Sequence, residues 1–278
     1  MLDAFAYCAA LVRAADRDRF IASLFAPTER RGALHALYAF NVEIARVRDV
    51  AHAPLPGEIR LQWWSDVVGG ERMDEAKANP VASALLDTIK QHALPAQTLT
   101  DLIDAHRFDL YDDPMATMAD LESYARRTSA WLMALAGRIL ADADVTAIAE
   151  PAGIAAGMAG VLRAFPAHTA RRQLYVPADL LGRHQVRLQE LYAGRSSAGL
   201  VAALAELRDI ARRHLAELGR QLPGLPPAAV PAFLPVALVG PTLDRVNRAD
   251  PFAPAEMSPW RRQWSIWRAA RNPTRIAR

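Results

Sequence analysis

The side chains best able to do chemistry are charged groups in two clusters. Glu43, Arg46 and Asp49 recur every three residues late in one helical segment, so they should share a face. Arg163, His168, Arg171 and Arg172 sit in a second segment and would supply opposing charge if the two faced each other. Three readings are open. The clusters could form a salt-bridge network. They could hold an anionic ligand such as a phospholipid headgroup or a polyprenyl phosphate, since guanidinium pairs bidentately with phosphate. They could carry out catalysis. Asp49 is at most a weak metal ligand on its own.

Other candidates are weaker. Asp109 and Asp113 have the i,i+4 spacing of a metal half-site, but Pro114 follows at once. Carboxylates near such a turn tend to bond backbone N–H groups. His35, His106 and His214 lack metal-ligand spacing to one another, and His106 and His214 stand beside arginines on faces read as outward. No glycine-rich phosphate loop and no Ser-His-Asp set is present. Near the C-terminus, Trp260, Trp264 and Trp267 form one helical stripe, with Arg261, Arg262, Arg268 and Arg271 around it. Tryptophan favours the apolar–water boundary and arginine favours anionic lipid. That helix either meets a membrane or partner, or docks its tryptophans on the body, with Trp63 and Trp64 as a partner patch.

The elements that must position these groups are helical almost throughout, with apolar residues at three- and four-residue spacing. The pattern predicts helices from Pro27 or Thr28 to about Val50, Glu58 to Gly69, Pro80 to about His92, and Pro95 to about Leu110. Others start at Thr117, with Tyr124, Trp131 and Leu132 inward, and run from Val145 to about Phe165, stopping at Pro166. Short helices follow at 177–181 and 188–192. A long amphipathic helix spans Ser197 to Gln221, short pieces follow around Pro231 and Pro235, and a last helix is capped by Ser258. No linker of domain-boundary quality is visible. One all-α domain over 1–278, with 257–271 a C-terminal Trp/Arg amphipathic helix, is the expectation.

Composition bounds the function. The 278 residues are 52% hydrophobic, enough for a large packed core. Net charge is +3, with Lys77 and Lys90 the only lysines, and no binding motif accompanies it, which argues against nucleic acid. Cys8 is the only cysteine and lies in an apolar run, so it reads as a buried structural thiol rather than half of a disulfide. No leader pattern is visible, and no uninterrupted apolar run reaches the ~18 residues of a spanning helix. The expected location is cytoplasmic, or peripheral on the inner membrane.

The frame Leu162, Arg163, Arg171, Tyr175, Pro177, Leu180 and Leu181 resembles the second signature segment of the squalene/phytoene synthase family. The segment from Tyr38 to Asp49 is similar to the first. The resemblance implies the all-helical bundle of the isoprenoid synthases. In that family paired aspartates on facing helices hold magnesium ions that bind a diphosphate and let a carbocation form. Here those positions are Ala45, Asp49, Ala164 and His168. The family's diphosphate-binding Ser-Phe pair falls on Asp18 and Arg19. Its small-residue run along the prenyl pocket falls on Ser129 to Met133, where Trp131 and Met133 would crowd the tunnel.

A narrower resemblance is to a non-catalytic branch that includes a mitochondrial assembly factor for respiratory complex I. Phe40, Asn41, Val42, Glu43 and Ala45 carry it, with Gln62, Trp63 and Trp64, then Leu121, Glu122, Tyr124, Thr128 and Ser129, and Arg163, Ala164, Pro166, His168, Arg171 and Arg172. It implies a scaffold or assembly factor without a cofactor, whose partner is a membrane-complex subunit. Two alternatives stay open: a magnesium-dependent prenyltransferase making squalene- or phytoene-type products, and a lipid- or polyprenyl-phosphate-binding protein.

Overall fold

The computed structural model describes residues 3–51, 53–246 and 250–278. At its centre lies α3 (Thr28–Ala45), in which every residue from Ala33 to Phe40 is buried. A helix apolar all round its girth belongs inside a bundle. Before it come α1 (Ala4–Ala15) and α2 (Arg17–Ser23). After it come α4 (Val47–Ala51), α5 (Pro54–Gly69), α6 (Met73–Ala78), α7 (Pro80–His92) and α8 (Ala96–Ala105). Then follow α9 (Met118–Ala125), α10 (Trp131–Ala141), α11 (Thr146–Ala170), α12 (Ala178–Arg183), α13 (Leu188–Tyr192) and α14 (Ala198–Gln221). The chain closes with α15 (Val230–Phe233), α16 (Val239–Val246) and α17 (Pro259–Arg271). No strand occurs among the described residues. The fold is a single all-α bundle, as the apolar spacing predicts.

Two long helices organise the layers. Helix α3 packs on α1, α7 and α10, while α11 packs on α14, α10, α9 and α16. Gly153 lets α11 come close: a Cβ there would lie 2.3 Å from the Ala130 backbone. Ala130 ends a π-helical segment, Arg126–Ala130, that joins α9 to α10. Cys8 and Val12 of α1 have no exposed surface.

Helix starts follow their chemistry. The Asn79 side chain accepts from Val81 and Ala82 N–H at 2.9 and 3.2 Å, and Pro80 fills the first turn. Thr117 and Asp120 form a reciprocal capping box, and Ser197 caps α14. Ser258 takes the N-cap position of α17 without a side-chain bond.

Four boundaries differ from the sequence expectation. Helix α3 ends at Ala45, because Arg46 leaves helical geometry at φ −102°, ψ 7°. Helix α5 begins at Pro54 rather than Glu58: Pro54 and Pro56 fall in the first turn, where a missing N–H costs nothing. The Pro95 segment turns to a 3₁₀ form at His106–Leu110. Helix α11 runs through Pro166 to Ala170, kept in the core by buried Phe165 and Thr169, with Thr169 Oγ1 bonding the Phe165 and Pro166 carbonyls at 2.9 and 3.1 Å.

Helix α11 and the 227–246 stretch are long and apolar enough to cross a bilayer, beyond what uninterrupted runs suggest. Each is 61% buried over its most apolar window, so both serve as core.

Candidate functional site

The two predicted charge clusters do not form one constellation. Because α3 stops at Ala45, Glu43 and Asp49 diverge. Glu43 pairs with Arg60 of α5 at 2.6 Å. Asp49 pairs with Arg171, from the end of α11, at 3.0 Å. That second pair lines a cleft of about 780 Å³ with Arg48, Tyr111, Asp112 and Asp113. Arg48 bonds Asp112 at 2.5 Å and also the Asp109 and Tyr111 carbonyls at 2.9 and 3.0 Å. Arg46 is exposed and has no ion pair among the described residues. Arg172, at φ +58°, lies 6.0 Å over the Tyr192 ring. His168 rests on Tyr175 with ring centroids 4.5 Å apart, and its Nδ1 is buried without a hydrogen bond. Burial lowers its pKa first; Asp109 acts against that and Arg171 adds to it.

Arg163 lies elsewhere, in a cleft of about 510 Å³ between α2, α11, α16 and α17. Asp16 binds Arg19 at 2.5 Å, and Arg19 sits 5.8 Å over the Tyr38 ring. Asp18 accepts from both Nε and Nη2 of Arg262, the Nε bond at 3.0 Å. Arg163 has no ion pair among the described residues. Asp18 therefore fills with carboxylate the place where the family resemblance puts a diphosphate binder. It ties α17 across the cleft, while Arg163 remains free to meet an anion.

Sequence reasoning missed a buried hub. Asp109 accepts from the Tyr175 and Tyr124 hydroxyls at 2.6 and 2.8 Å through Oδ1, and meets His106 Nδ1 at 2.6 Å through Oδ2. The expected backbone bonding of its carboxylate is replaced by these side-chain donors. His106, read as outward, is buried. Burial, then the Asp109 charge, pushes the Tyr175 hydroxyl far above the ordinary tyrosine range. The i,i+3 spacing of His106 and Asp109 was the available signal, but a 3₁₀ segment rather than an α-helix brings them together. His214 meets Glu122 at 3.5 Å.

The residues present do not fit a magnesium cluster. Of the four family positions only Asp49 is a carboxylate, and it pairs with Arg171 at 3.0 Å. Among the described residues no three His, Cys, Asp or Glu side chains converge as a metal site. Along the segment that the resemblance matches to the prenyl pocket, Met133 is in the core and half-buried Trp131 lines a separate 180 Å³ pocket with Pro95, Leu135 and Arg138.

Helix α17 presents Trp260, Trp264 and Trp267 outward, 80%, 54% and 41% exposed. Its inward face is Ile266 and Ala269. The expectation that Trp63 and Trp64 receive them fails. Trp64 is buried on Phe40, and Trp63 donates to Glu75 at 2.8 Å.

The chain is 31% identical to the NADH dehydrogenase (ubiquinone) complex I assembly factor 6 of Rattus norvegicus, over 89% of this chain and 75% of that one. It is 30% identical to the Homo sapiens protein of that name, over 88% and 74%. A phytoene synthase of Mycobacterium tuberculosis (strain ATCC 25618 / H37Rv) is 26% identical over 64% of this chain and 59% of its own. Among solved structures, a dehydrosqualene synthase bound to a ligand superposes with a TM-score of 0.81 at 17% identity, covering 95% and 94% of the two chains. A squalene synthase from Alicyclobacillus acidocaldarius gives 0.70 at 20% identity, covering 96% and 93%. These establish the isoprenoid synthase fold. The sequence profile of squalene/phytoene synthase matches residues 12–268, and the chain belongs to that family.

Proposed function

We propose that this protein is a non-catalytic member of its family that assists assembly of a membrane respiratory complex of the complex I type. The observation that carries the reading is the fate of the metal positions. Ala45, Ala164 and His168 offer no carboxylate, Asp49 is held by Arg171, and Asp18 is tied to Arg262. A single carboxylate cannot hold the magnesium cluster that draws charge from a leaving diphosphate. The likeness to complex I assembly factors over most of the chain supports the partner class. On this reading the protein works without a cofactor, binds a subunit or assembly intermediate, and acts from the cytoplasmic side, peripheral to the inner membrane.

Two experiments test it. Removing the protein from its host should lower the amount of assembled complex I, and restoring it should recover the complex. Calorimetry with a non-hydrolysable farnesyl diphosphate analogue should show no magnesium-linked binding. Micromolar binding abolished by a chelator, with product formation, would instead establish the prenyltransferase alternative.

A second reading is favoured by one observation, the unpaired Arg163 in its cleft. A phosphate-bearing lipid, such as a polyprenyl phosphate, would meet that guanidinium. Co-purified lipid seen by mass spectrometry in the wild type and lost in Arg163→Gln supports it; lipid-free wild-type protein rules it out.

A further inference from the structure

Helix α17 and the residues after it stand apart electrostatically. From Met257 to Arg278 there are six arginines and no acidic residue. Since the whole chain is +3, taking those six away leaves the rest at −3. A net acidic body thus ends in a basic segment.

The same segment exposes its largest apolar groups. Ile266 and Ala269 are fully buried against the body, and Arg262 is spent on Asp18, so the rotation of the helix is fixed. That rotation turns Trp260, Trp264 and Trp267 to solvent. Trp264 and Trp267 stack at 4.9 Å and 16°, and Arg271 lies 5.1 Å over Trp267. Arg261, Arg268 and Arg271 are exposed on the same outward side of the docked helix. An aromatic stripe flanked by guanidinium groups, on a helix whose other face is already packed, fits the headgroup boundary of a bilayer. Arginines at that depth meet lipid phosphates and are drawn to an anionic leaflet.

We propose that α17 docks this protein on an anionic membrane surface. Trp260, Trp264 and Trp267 enter the headgroup–acyl boundary, and Arg261, Arg268 and Arg271 bind lipid phosphates. The helix lies in the plane of the surface, because Ile266 and Ala269 keep one side on the bundle. The acidic remainder is held away from like-charged lipid. Lipid docking and assembly are separable: vesicle binding reads only the first and needs no partner.

The test uses the full chain with phosphatidylcholine vesicles, with and without phosphatidylglycerol. The wild type should co-sediment with the anionic vesicles, and binding should weaken as salt rises. Neutralising Arg261→Gln, Arg268→Gln and Arg271→Gln together should weaken binding about a hundredfold. The triple change Trp260→Ala, Trp264→Ala and Trp267→Ala should weaken it at least about tenfold and remove quenching of tryptophan emission by brominated lipid. Circular dichroism melting checks that both variants fold, which the exposure of all six side chains favours.

Three results overturn the proposal. One is a wild type that ignores anionic vesicles. Another is a folded tryptophan variant that binds as well as the wild type. The third is a wild type that binds an oligonucleotide, or self-associates through the tryptophans, and does not bind vesicles.

Discussion

Asp18 and Arg262 lie 244 positions apart, yet the carboxylate takes both Nε and Nη2 of the guanidinium, the first at 3.0 Å. Each side chain keeps only about a fifth of its surface in water, 20% and 22%. The pair joins α2 to α17. Replacing Asp18 by Ala strands a half-buried guanidinium, and hydrogen bonds to charged groups contribute about 1.5–3 kcal/mol. Thermal melting of Asp18→Ala should fall by roughly 5 °C for a chain of this size. Limited proteolysis should cut first near α17. An unchanged melting temperature and digestion pattern would show that the pair adds nothing.

The Asp49–Arg171 pair should behave differently. Its side chains are 52% and 63% exposed, and exposed pairs contribute about 0–1 kcal/mol. Asp49→Asn should therefore melt within about 2 °C of the wild type and leave complex I assembly intact. A large loss of assembly in a stably folded Asp49→Asn protein would mark Asp49 as a working residue.

Asp109 is the costly position. Replacing it with Ala leaves the Tyr124 and Tyr175 hydroxyls and His106 Nδ1 without their acceptor in the core. Breaking such a buried network costs about 3–5 kcal/mol. Asp109→Asn keeps an acceptor oxygen for the tyrosines and should lose less. Chemical denaturation ranks the two; equal stabilities would show that the hub is not built on the carboxylate.

Acid should weaken the fold through a buried and a half-buried histidine. His35 and His168 both titrate below the ordinary 6.5, burial being the main cause, with Arg31 acting on His35. A lowered folded-state value means the unfolded chain binds more protons below about pH 6.5, so stability falls as pH drops through that window and is kept above it. His35 also accepts or donates at Nε2 to Ser23 Oγ at 2.8 Å. His168→Gln should flatten the melting-temperature slope between pH 6.5 and 5. A slope identical to the wild type would remove His168 as a contributor.

Cys8 has no exposed surface, and burial, then the Asp3 charge, pushes its thiol up to about 12. A thiol reagent at pH 8 should label it only after denaturant is added. Fast labelling of native protein would mean that α1 opens readily.

Where local chemistry decides, the sequence was readable. The Asn79–Pro80 start, the Thr117 cap and the α14 amphipathic pattern all rest on side chains acting within four residues of themselves. The family frame from Leu162 to Leu181 also carried the fold. What was not legible depends on tertiary context. Pro166 reads as a stop, but packing of Phe165 and Thr169 holds α11 together past it. Three-residue spacing placed Glu43 and Asp49 on one face, but a single residue out of helical geometry, Arg46, sends them to Arg60 and Arg171. Asp109 looked like a turn carboxylate because Tyr175, its shortest-bonded hydroxyl partner, is 66 residues away.

The contact of Gly153 with Ala130 fixes how near α11 lies to the π-helical segment. Both sides of that contact are backbone, so no rotamer change can widen it. A single methyl at residue 153 would therefore have to be met by a shift of whole helices, α11 against the Arg126–Ala130 segment, and not by the turn of one side chain.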